Sequence, residues 1–297
     1  MTAHVPVLTD AVLQYLRPER GGLFVDCTVG LGGHASALLG AGATRVIGLD
    51  RDTDALSVAR STLAPWGDRV ELVHADYRSL DEVLERRNIE SIDGALADLG
   101  VSSMQFDAEG RGFSFQRDEP LDMRMDNTQG ETAAQIVARA SEADLADAIY
   151  AYGEERFSRR IARSIVNARL EEPIATTGRL AAIVRRAVPR RGYMRIDPAT
   201  RTFQALRIWV NHELDGLDRF IEMAVRRLRA GARLVVISFH SLEDRIVKHT
   251  LRALQQRREP GSTVTVLTKK PVVAGDAELE SNPRARSAKL RAAERVA

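Results

Sequence analysis

Short apolar runs alternate with amphipathic stretches through the first hundred residues of the chain. Four of these runs have the length of buried strands, at residues 23–26, 45–50, 70–77 and 92–100. Apolar residues at helical spacing predict helices before and between them, at residues 7–16, 35–39, 55–63 and 79–87. Strands that alternate with helices in this way predict a parallel α/β sheet that binds ligands at the carboxyl ends of its strands.

The alternation stops after residue 105, and residues 106–212 carry no strand pattern. Helical spacing recurs inside this block at residues 133–138, 143–150, 155–170 and 180–188. An amphipathic helix at 214–228 and an apolar strand at 234–239 then resume the sheet. We therefore predict a discontinuous α/β domain over residues 1–105 and 213–297 that carries an inserted all-helical domain over residues 106–212.

The chain after residue 239 predicts one more helix and two more strands. The sequence Ser241-Leu242-Glu243-Asp244 fits a capping box with Asp244 in its last position, and it opens a helix to Leu254. Residues 264–268 alternate like a strand, and residues 288–292 do so as well, although a helix competes there. The domain therefore finishes in the order strand, helix, strand, strand.

A glycine cluster separates the first strand from its helix. Gly30, Gly32 and Gly33 allow a sharp turn and a close approach of the backbone to a ligand, because no Cβ intervenes. The helix that follows offers free N–H groups at its start. This anatomy predicts a nucleotide-type cofactor site, but Gly30-x-Gly32-x-x-Ala35 also fits the dinucleotide fingerprint, so the turn leaves NAD and S-adenosylmethionine open.

The four strands share one feature, an acidic residue at or near the carboxyl end. These residues are Asp26, Asp50, Asp76 and Asp98. Asp50 lies about twenty residues after the glycines, where a carboxylate can accept both ribose hydroxyls. The alternative role of capping the next helix can be filled by Asp52 or Asp54. Tyr77 can lie on an adenine face, or it can be a buried tyrosine with Asp76 in a turn.

Composition narrows the class of protein. The 297 residues carry a net charge of +2 and one cysteine, Cys27, which rules out an internal disulfide framework. No apolar run approaches the roughly 20 residues of a membrane span, and the N-terminus lacks the features of a signal peptide. We expect a soluble, cytoplasmic protein without a membrane partner. No cluster of His, Cys and acidic residues has metal-binding spacing, so we predict no metal site.

Charge is distributed unevenly within the inserted block. Residues 107–155 contain four Arg and twelve acids, whereas residues 156–207 contain thirteen Arg, three acids and no Lys. Such a run can be a solvated face. Arginine, however, recognises phosphate through a planar, bidentate fork that lysine lacks. The second segment therefore predicts contact with nucleic acid.

The order of strands and acids resembles a class I S-adenosylmethionine methyltransferase, with the two late strands forming an antiparallel edge. Asp26-x-Thr28-x-Gly30-x-Gly32 resembles the loop acid-x-Gly-x-Gly-x-Gly of that class, with Thr28 in place of the first glycine. Longer strings resemble the RsmH (MraW) family, at residues 98–103, 111–115, 120–126, 153–157, 199–207 and 238–245. The resemblance covers nearly the whole chain, from His4 to Ala293.

Several expectations follow from this resemblance. Members of the family methylate the exocyclic N4 amine of a cytidine in 16S ribosomal RNA, at the decoding centre. The implied partner is 16S rRNA within the small ribosomal subunit or its late assembly intermediate. The implied cofactor contacts are Gly32, Gly33, His34, Asp50, Tyr77, Asp98 and Gln105. His34 and Gln105 come from the resemblance alone, while the other five agree with the pattern of strands and turns.

The catalytic group stays unassigned, with Asp98 the best candidate. A carboxylate that accepts the N–H bonds of the target amine would raise the electron density on its nitrogen. Phe113 and Phe115 are candidates for stacking on the base, or they pack in the core of the inserted block. Two other functions remain open, an NAD-dependent oxidoreductase and a non-catalytic ribosome assembly or RNA-binding factor. The sequence also leaves open whether the protein is a homodimer.

Overall fold

The computed structural model describes residues 6–102, 106, 109–189, 196–257 and 263–296. The chain separates into two compact units, Met1–Gly100 with Leu214–Ala297, and Val101–Glu213. We call the first the sheet unit and the second the helical unit. Each has a hydrophobic core of its own. Among the described residues, no helix is long and apolar enough to cross a membrane.

The described part of the sheet unit forms one seven-stranded sheet. Its strands are β1 (Leu23–Asp26), β2 (Arg45–Asp50), β3 (Val70–His74), β4 (Ile92–Asp98), β5 (Leu228–Ser238), β6 (Val264–Val266) and β7 (Lys289–Arg295). They lie in the order β3-β2-β1-β4-β5-β7-β6. Strands β1 to β5 pair in parallel, and β7 is antiparallel to both of its neighbours, β5 and β6. The predicted mainly parallel sheet with an antiparallel edge is confirmed, and β7 is its reversed strand.

Helices occur in both units. The α-helices with described bounds are α1 (Thr9–Leu16), α2 (Gly33–Gly40), α3 (Thr53–Leu63), α4 (Leu80–Glu85), α5 (Ala133–Arg139), α6 (Glu142–Gly153), α7 (Ser158–Glu171), α8 (Thr177–Ala187), α9 (Ala199–Asn211), α10 (Leu217–Arg227), α11 (Ser241–Gln256) and α12 (Asp276–Ser281). Short 3-10 helices span Pro18–Arg20, Ala64–Arg69, Tyr77–Ser79 and Pro283–Ser287. Helices α1 to α4 and α10 to α12 belong to the sheet unit, and α5 to α9 form the helical unit.

Both faces of the sheet are covered. Successive strand residues point to opposite faces, so Phe24 packs with α1, α2 and α3, whereas Val25 packs with α4, α10 and α11. Strands buried on both sides are apolar almost throughout. This explains why the central strands were recognisable as continuous apolar runs.

The order of the strands reverses at β1, which lies between β2 and β4. Asp26 ends β1, and Asp98 ends β4. The carboxyl ends of parallel strands meet at one edge, and the crevice at such a reversal is where ligands bind in open α/β sheets. The sheet order alone therefore places Asp26 and Asp98 at the expected ligand-binding edge.

Two local predictions in the sheet unit were wrong. Strand β3 ends at His74 instead of residue 77, because the Asp76 carboxylate accepts the backbone N–H of Arg78 at 2.9 Å and starts a 3-10 turn. The N-cap of α11 is His240 instead of Ser241. Glu243 closes the capping box by accepting the N–H groups of Phe239 and His240. Asp244, predicted as the last box residue, instead pairs with Arg291.

The helical unit contains one helix that the sequence pattern did not reveal, α9. It buries Phe203 and Leu206 in the core of the unit. Its last residue, Asn211, accepts the backbone N–H of Met125 and donates to the carbonyl oxygen of Met123, each at 2.7 Å. These two bonds attach the loop around Met123 to α9. In addition to this loop, α9 packs against α6 in the core of the unit.

Candidate functional site

The glycine turn between β1 and α2 has the backbone shape that its sequence predicted. Gly30 and Gly32 have φ of 51° and 88°, values that favour glycine. At Gly32 a Cβ would also lie 2.9 Å from the side chain of Leu63. No side chain caps α2, which begins at Gly33. The N–H groups of its first turn therefore remain available to a ligand.

Asp50 reaches from the end of β2 to the glycine turn. Its Oδ2 accepts the N–H of Gly30 at 2.8 Å, and its Oδ1 accepts the N–H of Asp52 at 2.9 Å. Asp52 is the N-cap of α3 and accepts the N–H groups of Asp54 and Ala55. Burial raises the pKa of Asp50 above its ordinary value, although the two hydrogen bonds oppose the rise. Each oxygen keeps a second lone pair that can accept a hydroxyl of a ligand.

Asp26 lies fully buried at the end of β1. Its Oδ1 accepts the N–H of Thr28 at 3.2 Å, and its Oδ2 has no hydrogen-bond partner in the described residues. Burial raises its pKa to about 7, while His34 and the Thr28 hydrogen bond oppose the rise. A carboxyl group in this state changes charge near neutral pH.

His34 and Asp98 face each other at this edge of the sheet. The Nε2 of His34 lies 3.6 Å from the Oδ2 of Asp98, which is too long for a hydrogen bond. Both ring nitrogens of His34 and the Oδ1 of Asp98 are buried. None of these three atoms has a hydrogen-bond partner in the described part of the chain. Burial opposes a charge on His34, but the carboxylate of Asp98 outweighs it and raises the pKa of the imidazole.

The unpartnered atoms of Asp26, His34 and Asp98 define a polar cluster. Buried polar atoms in native proteins are almost always hydrogen-bonded, so several orphaned atoms together indicate a ligand that is polar on this side. Two of the three residues were expected as cofactor contacts from the resemblance or the strand pattern. Asp26 was recognised only as a strand-end acid, and its complete burial is a property of the packed sheet.

Asp76 and Tyr77 make contacts with their own neighbours in the sheet unit. Asp76 pairs with Arg78 through both carboxylate oxygens at 2.7 Å, and this pairing outweighs burial to lower its pKa. The ring of Tyr77 is buried 4.7 Å from that of Phe220, and burial raises the pKa of its hydroxyl. This arrangement matches the alternative of a buried tyrosine with Asp76 in a turn. A cofactor contact at Tyr77 stays a prediction, and Gln105 lies outside the described residues.

The two aromatic candidates for stacking on a base lie against other parts of the helical unit. Phe113 is buried in the core of that unit. Phe115 packs edge-on against Phe203 at 4.8 Å, with the guanidinium of Arg185 over its ring at 5.5 Å. Both positions match the alternative of core packing.

The chain is similar to a known protein family and to named relatives. The model of the MraW methylase family matches residues 1–296. The chain belongs to this family. A protein of Geotalea uraniireducens named ribosomal RNA small subunit methyltransferase H is 50% identical over 307 residues, covering 99% of this chain and 98% of the relative. The protein of the same name from Sorangium cellulosum is 53% identical over 293 residues, covering 99% and 91%.

Two solved structures align with the chain at low similarity. An rRNA methylase from Streptococcus thermophilus aligns with a TM-score of 0.43 and 14% identity, covering 97% of this chain and 94% of the other. An S-adenosylmethionine-dependent O-methyltransferase from Thermotoga maritima aligns with a TM-score of 0.42 and 12% identity, covering 100% and 69%. Likenesses of this size add nothing to what family membership establishes.

This member of the MraW methylase family is a methyltransferase, and its cofactor is S-adenosylmethionine. The cofactor carries a ribose, an α-ammonium group and a carboxylate. The polar cluster offers acceptors for an ammonium group, the glycine turn offers N–H donors, and Asp50 offers acceptors for ribose hydroxyls. The residues present therefore fit the cofactor.

Proposed function

We propose that this protein transfers a methyl group from S-adenosylmethionine to the exocyclic N4 amine of a cytidine in the decoding centre of 16S ribosomal RNA. The observation that carries the proposal is the 50–53% identity, over 99% of the chain, to proteins named ribosomal RNA small subunit methyltransferase H. The target amine and its place in the RNA rest on the resemblance to the RsmH family. Such a substrate implies action in the cytoplasm, on the small subunit or its late assembly intermediate.

The proposed cofactor contacts are Gly32, Gly33, His34, Asp50, Tyr77, Asp98 and Gln105. Asp50 supports the ribose assignment best, because Asp52 caps α3 and Asp50 is left at the turn. Asp26, which was not among the expected contacts, joins the set through its unpartnered Oδ2. The free N–H groups at the start of α2 suit the carboxylate of the cofactor.

The bound cofactor supplies a sulfonium methyl, whose leaving group is a neutral thioether. The protein has to hold the attacking nitrogen in line with that carbon. A cytosine amine is a weak nucleophile because its lone pair is delocalised into the ring. The unpartnered Oδ1 of Asp98 is an acceptor for an N–H of this amine. Such a bond raises the electron density on the nitrogen, and the carboxylate can take the proton that the methylated nitrogen loses. We propose Asp98 as this acceptor.

The described arginines of residues 156–207 fall into two groups, those whose side chains form structural contacts and those whose side chains are exposed without a partner. Several form structural bonds: Arg207 pairs with Glu213, Arg185 with Asp197, and Arg169 donates to two backbone carbonyls. Arg159 and Arg160, in contrast, are exposed on the first turn of α7, and their side chains have no partner among the described residues. We propose these two as contacts to RNA phosphates.

A direct test uses small ribosomal subunits from cells that lack this protein. The protein is incubated with them and with S-adenosylmethionine labelled in its methyl group, and the RNA is digested for nucleoside mass spectrometry. We expect label in N4-methylcytidine of 16S rRNA and none in large subunits. Label in a different nucleoside, or none in the RNA, contradicts the proposed substrate.

Two further measurements on the protein distinguish the other candidate functions. Calorimetry should detect binding of S-adenosylmethionine and no binding of NADH, whereas a nicotinamide enzyme predicts the reverse. A non-catalytic assembly factor predicts that Asp98→Ala leaves all measurable function intact. We expect Asp98→Ala to abolish methyl transfer while the protein remains folded and still binds rRNA.

The RNA contacts are tested with Arg159→Gln combined with Arg160→Gln. The matched control is Arg117→Gln with Arg139→Gln, since those exposed arginines pair with Glu109 and Glu131. The first pair should reduce the slope of log affinity for rRNA against log salt by about 0.7–0.9 for each lost phosphate contact. An equal effect of both pairs would show that net charge alone, and not these two side chains, governs binding.

A further inference from the structure

The sheet unit contains a second concave surface, between helix α11 and the strands β6 and β7. Its volume is about 330 Å³. The residues that line it are Lys248, Leu251, Arg252, Gln255, Val266, Thr268, Lys269 and Arg291. We call this surface the basic groove. None of these eight residues is among the proposed cofactor contacts.

The groove has an uncompensated positive charge. Arg291 is buried and paired with Asp244 at 2.6 Å, so its charge is neutralised. The side chains of Lys248, Arg252 and Lys269 have no ion pair or hydrogen bond with any residue that the structure describes. No acidic residue is among the eight lining residues. Three positive charges therefore face the groove without a partner.

Some cations elsewhere in the sheet unit are arranged differently. The exposed Arg86 pairs with Glu82, and the half-buried Arg227 pairs with both Asp81 and Glu85. A surface helix with this pattern is simply solvated. In the groove, Lys248 and Arg252 are instead one turn apart on α11, where like charges repel and weaken the helix. An anionic partner would relieve this repulsion.

The walls of the groove are held by hydrogen bonds of their own. The Oε1 of Gln255 accepts the N–H of Val266 at 2.9 Å, which ties α11 to β6. The Oγ1 of Thr268 accepts the N–H of Ala292 at 3.0 Å, which ties the end of β6 to β7. The groove is therefore preformed, and a partner that binds there loses little free energy to the ordering of its walls.

We propose that the basic groove binds the phosphodiester backbone of the substrate RNA. This inference rests on the proposed function and adds a contact surface on the sheet unit to the arginines of the helical unit. Lysine and arginine side chains that neutralise phosphates release condensed counterions, so they contribute affinity without reading sequence. The groove therefore strengthens substrate binding and leaves the methyl-transfer step unchanged.

The test is the triple variant Lys248→Gln, Arg252→Gln, Lys269→Gln. Its matched control removes three exposed cations of the sheet unit outside the groove, Arg20→Gln, Arg60→Gln and Arg86→Gln. We expect the groove variant to lower the slope of log affinity for small subunits against log salt by about 2, and to raise KM for subunits about tenfold. Its kcat and its affinity for S-adenosylmethionine should equal those of the wild type.

A variant that conserves the charges distinguishes an effect of lost charge from an effect of misfolding. Lys248→Arg, Arg252→Lys and Lys269→Arg together keep all three charges and should restore the wild-type KM and salt slope. The inference is overturned if the groove variant and the control variant bind subunits equally well. It is also overturned if adenosine monophosphate binds the groove while rRNA affinity is unaffected by the triple variant. Methyl transfer by the wild type and the control tests the proposed function independently of these outcomes.

Discussion

The Oγ1 of Thr28 accepts a hydrogen bond from the backbone N–H of Asp98 at 2.6 Å. Thr28 follows β1, and Asp98 ends β4, the strand next to it in the sheet. The bond therefore links the start of the glycine turn to the residue that we propose as the acceptor for the target amine. A glycine at position 28, as in the class I loop that the sequence resembles, offers no such side-chain acceptor.

Replacing Thr28 by Val should weaken this link. The variant keeps the shape of the side chain but leaves the Asp98 N–H without its partner, so we expect the free energy of unfolding to fall by about 1 kcal/mol. The affinity for S-adenosylmethionine should fall as well. Urea denaturation and calorimetry measure the two effects. Thr28→Ser keeps the hydroxyl and serves as the control, and equal behaviour of Val and Ser would refute the role of the bond.

Asp50→Asn tests the proposed ribose contact. The amide keeps one acceptor oxygen but loses the charge and one acceptor, so S-adenosylmethionine should bind about tenfold to a hundredfold more weakly. Asp52→Asn is a close control, because asparagine is also a good N-cap for α3. Calorimetry on both variants measures the difference. If Asp52→Asn weakens the cofactor as much as Asp50→Asn does, the assignment of Asp50 is wrong.

The buried carboxyl of Asp26 should make stability depend on pH. Because burial raises its pKa from 3.8 to about 7, the folded protein holds this proton more tightly than the unfolded chain. Its stabilising contribution is fully present below about pH 4 and is lost as pH rises towards 7. Asp26→Asn keeps an acceptor for the Thr28 N–H but cannot titrate. The free energy of unfolding of this variant should fall less steeply with pH over that range.

Urea denaturation of Asp26→Asn and of the wild type between pH 4 and 8 measures this effect. Asp10→Asn is the control, since the side chain of Asp10 is exposed on α1. The prediction fails if the curves of Asp26→Asn and the wild type run parallel through the whole range.

Gly94→Ala should destabilise the sheet unit. Gly94 lies in β4 opposite Phe24 of β1, and a Cβ at this position would come within 2.5 Å of the Phe24 ring. The buried ring has to move, so we expect a loss of roughly 1–3 kcal/mol. Gly40→Ala, where the nearest side chain is an ordinary 3.8 Å away, should be neutral or slightly stabilising. Thermal and urea unfolding compare the two, and equal stability of both variants would contradict this packing.

Local sequence patterns determined most of the sheet unit. Strand β2 matches its predicted bounds, because a run buried on both faces has a clear beginning and end. The same reasoning failed where a side chain forms a hydrogen bond with a backbone N–H and so moves the end of a strand or the start of a helix. The carboxylate of Asp76 shortened β3, and His240 took the capping position expected at Ser241. Neither competition is visible in hydrophobic periodicity.

The site was predicted in part. The glycine turn and Asp50 follow from their distance along the chain after a buried strand, and the structure brings them together through the Gly30–Asp50 hydrogen bond. The burial of Tyr77 against Phe220 could not be predicted, since the two residues belong to distant parts of the chain. Thr28 was noticed only as a departure from the glycine loop, and its bond to Asp98 requires two adjacent strands.

The sequence by itself determined the alternating α/β order, the glycine turn, the acids at the strand ends and the membership of the methylase family. Each of these depends on residues that are neighbours along the chain or on strings that can be matched directly. Only the tertiary structure decided which polar atoms stay without a partner, which arginines are already paired and where the basic groove lies. These properties depend on side chains that meet across strands and helices, and burial changes their energies after the chain has folded.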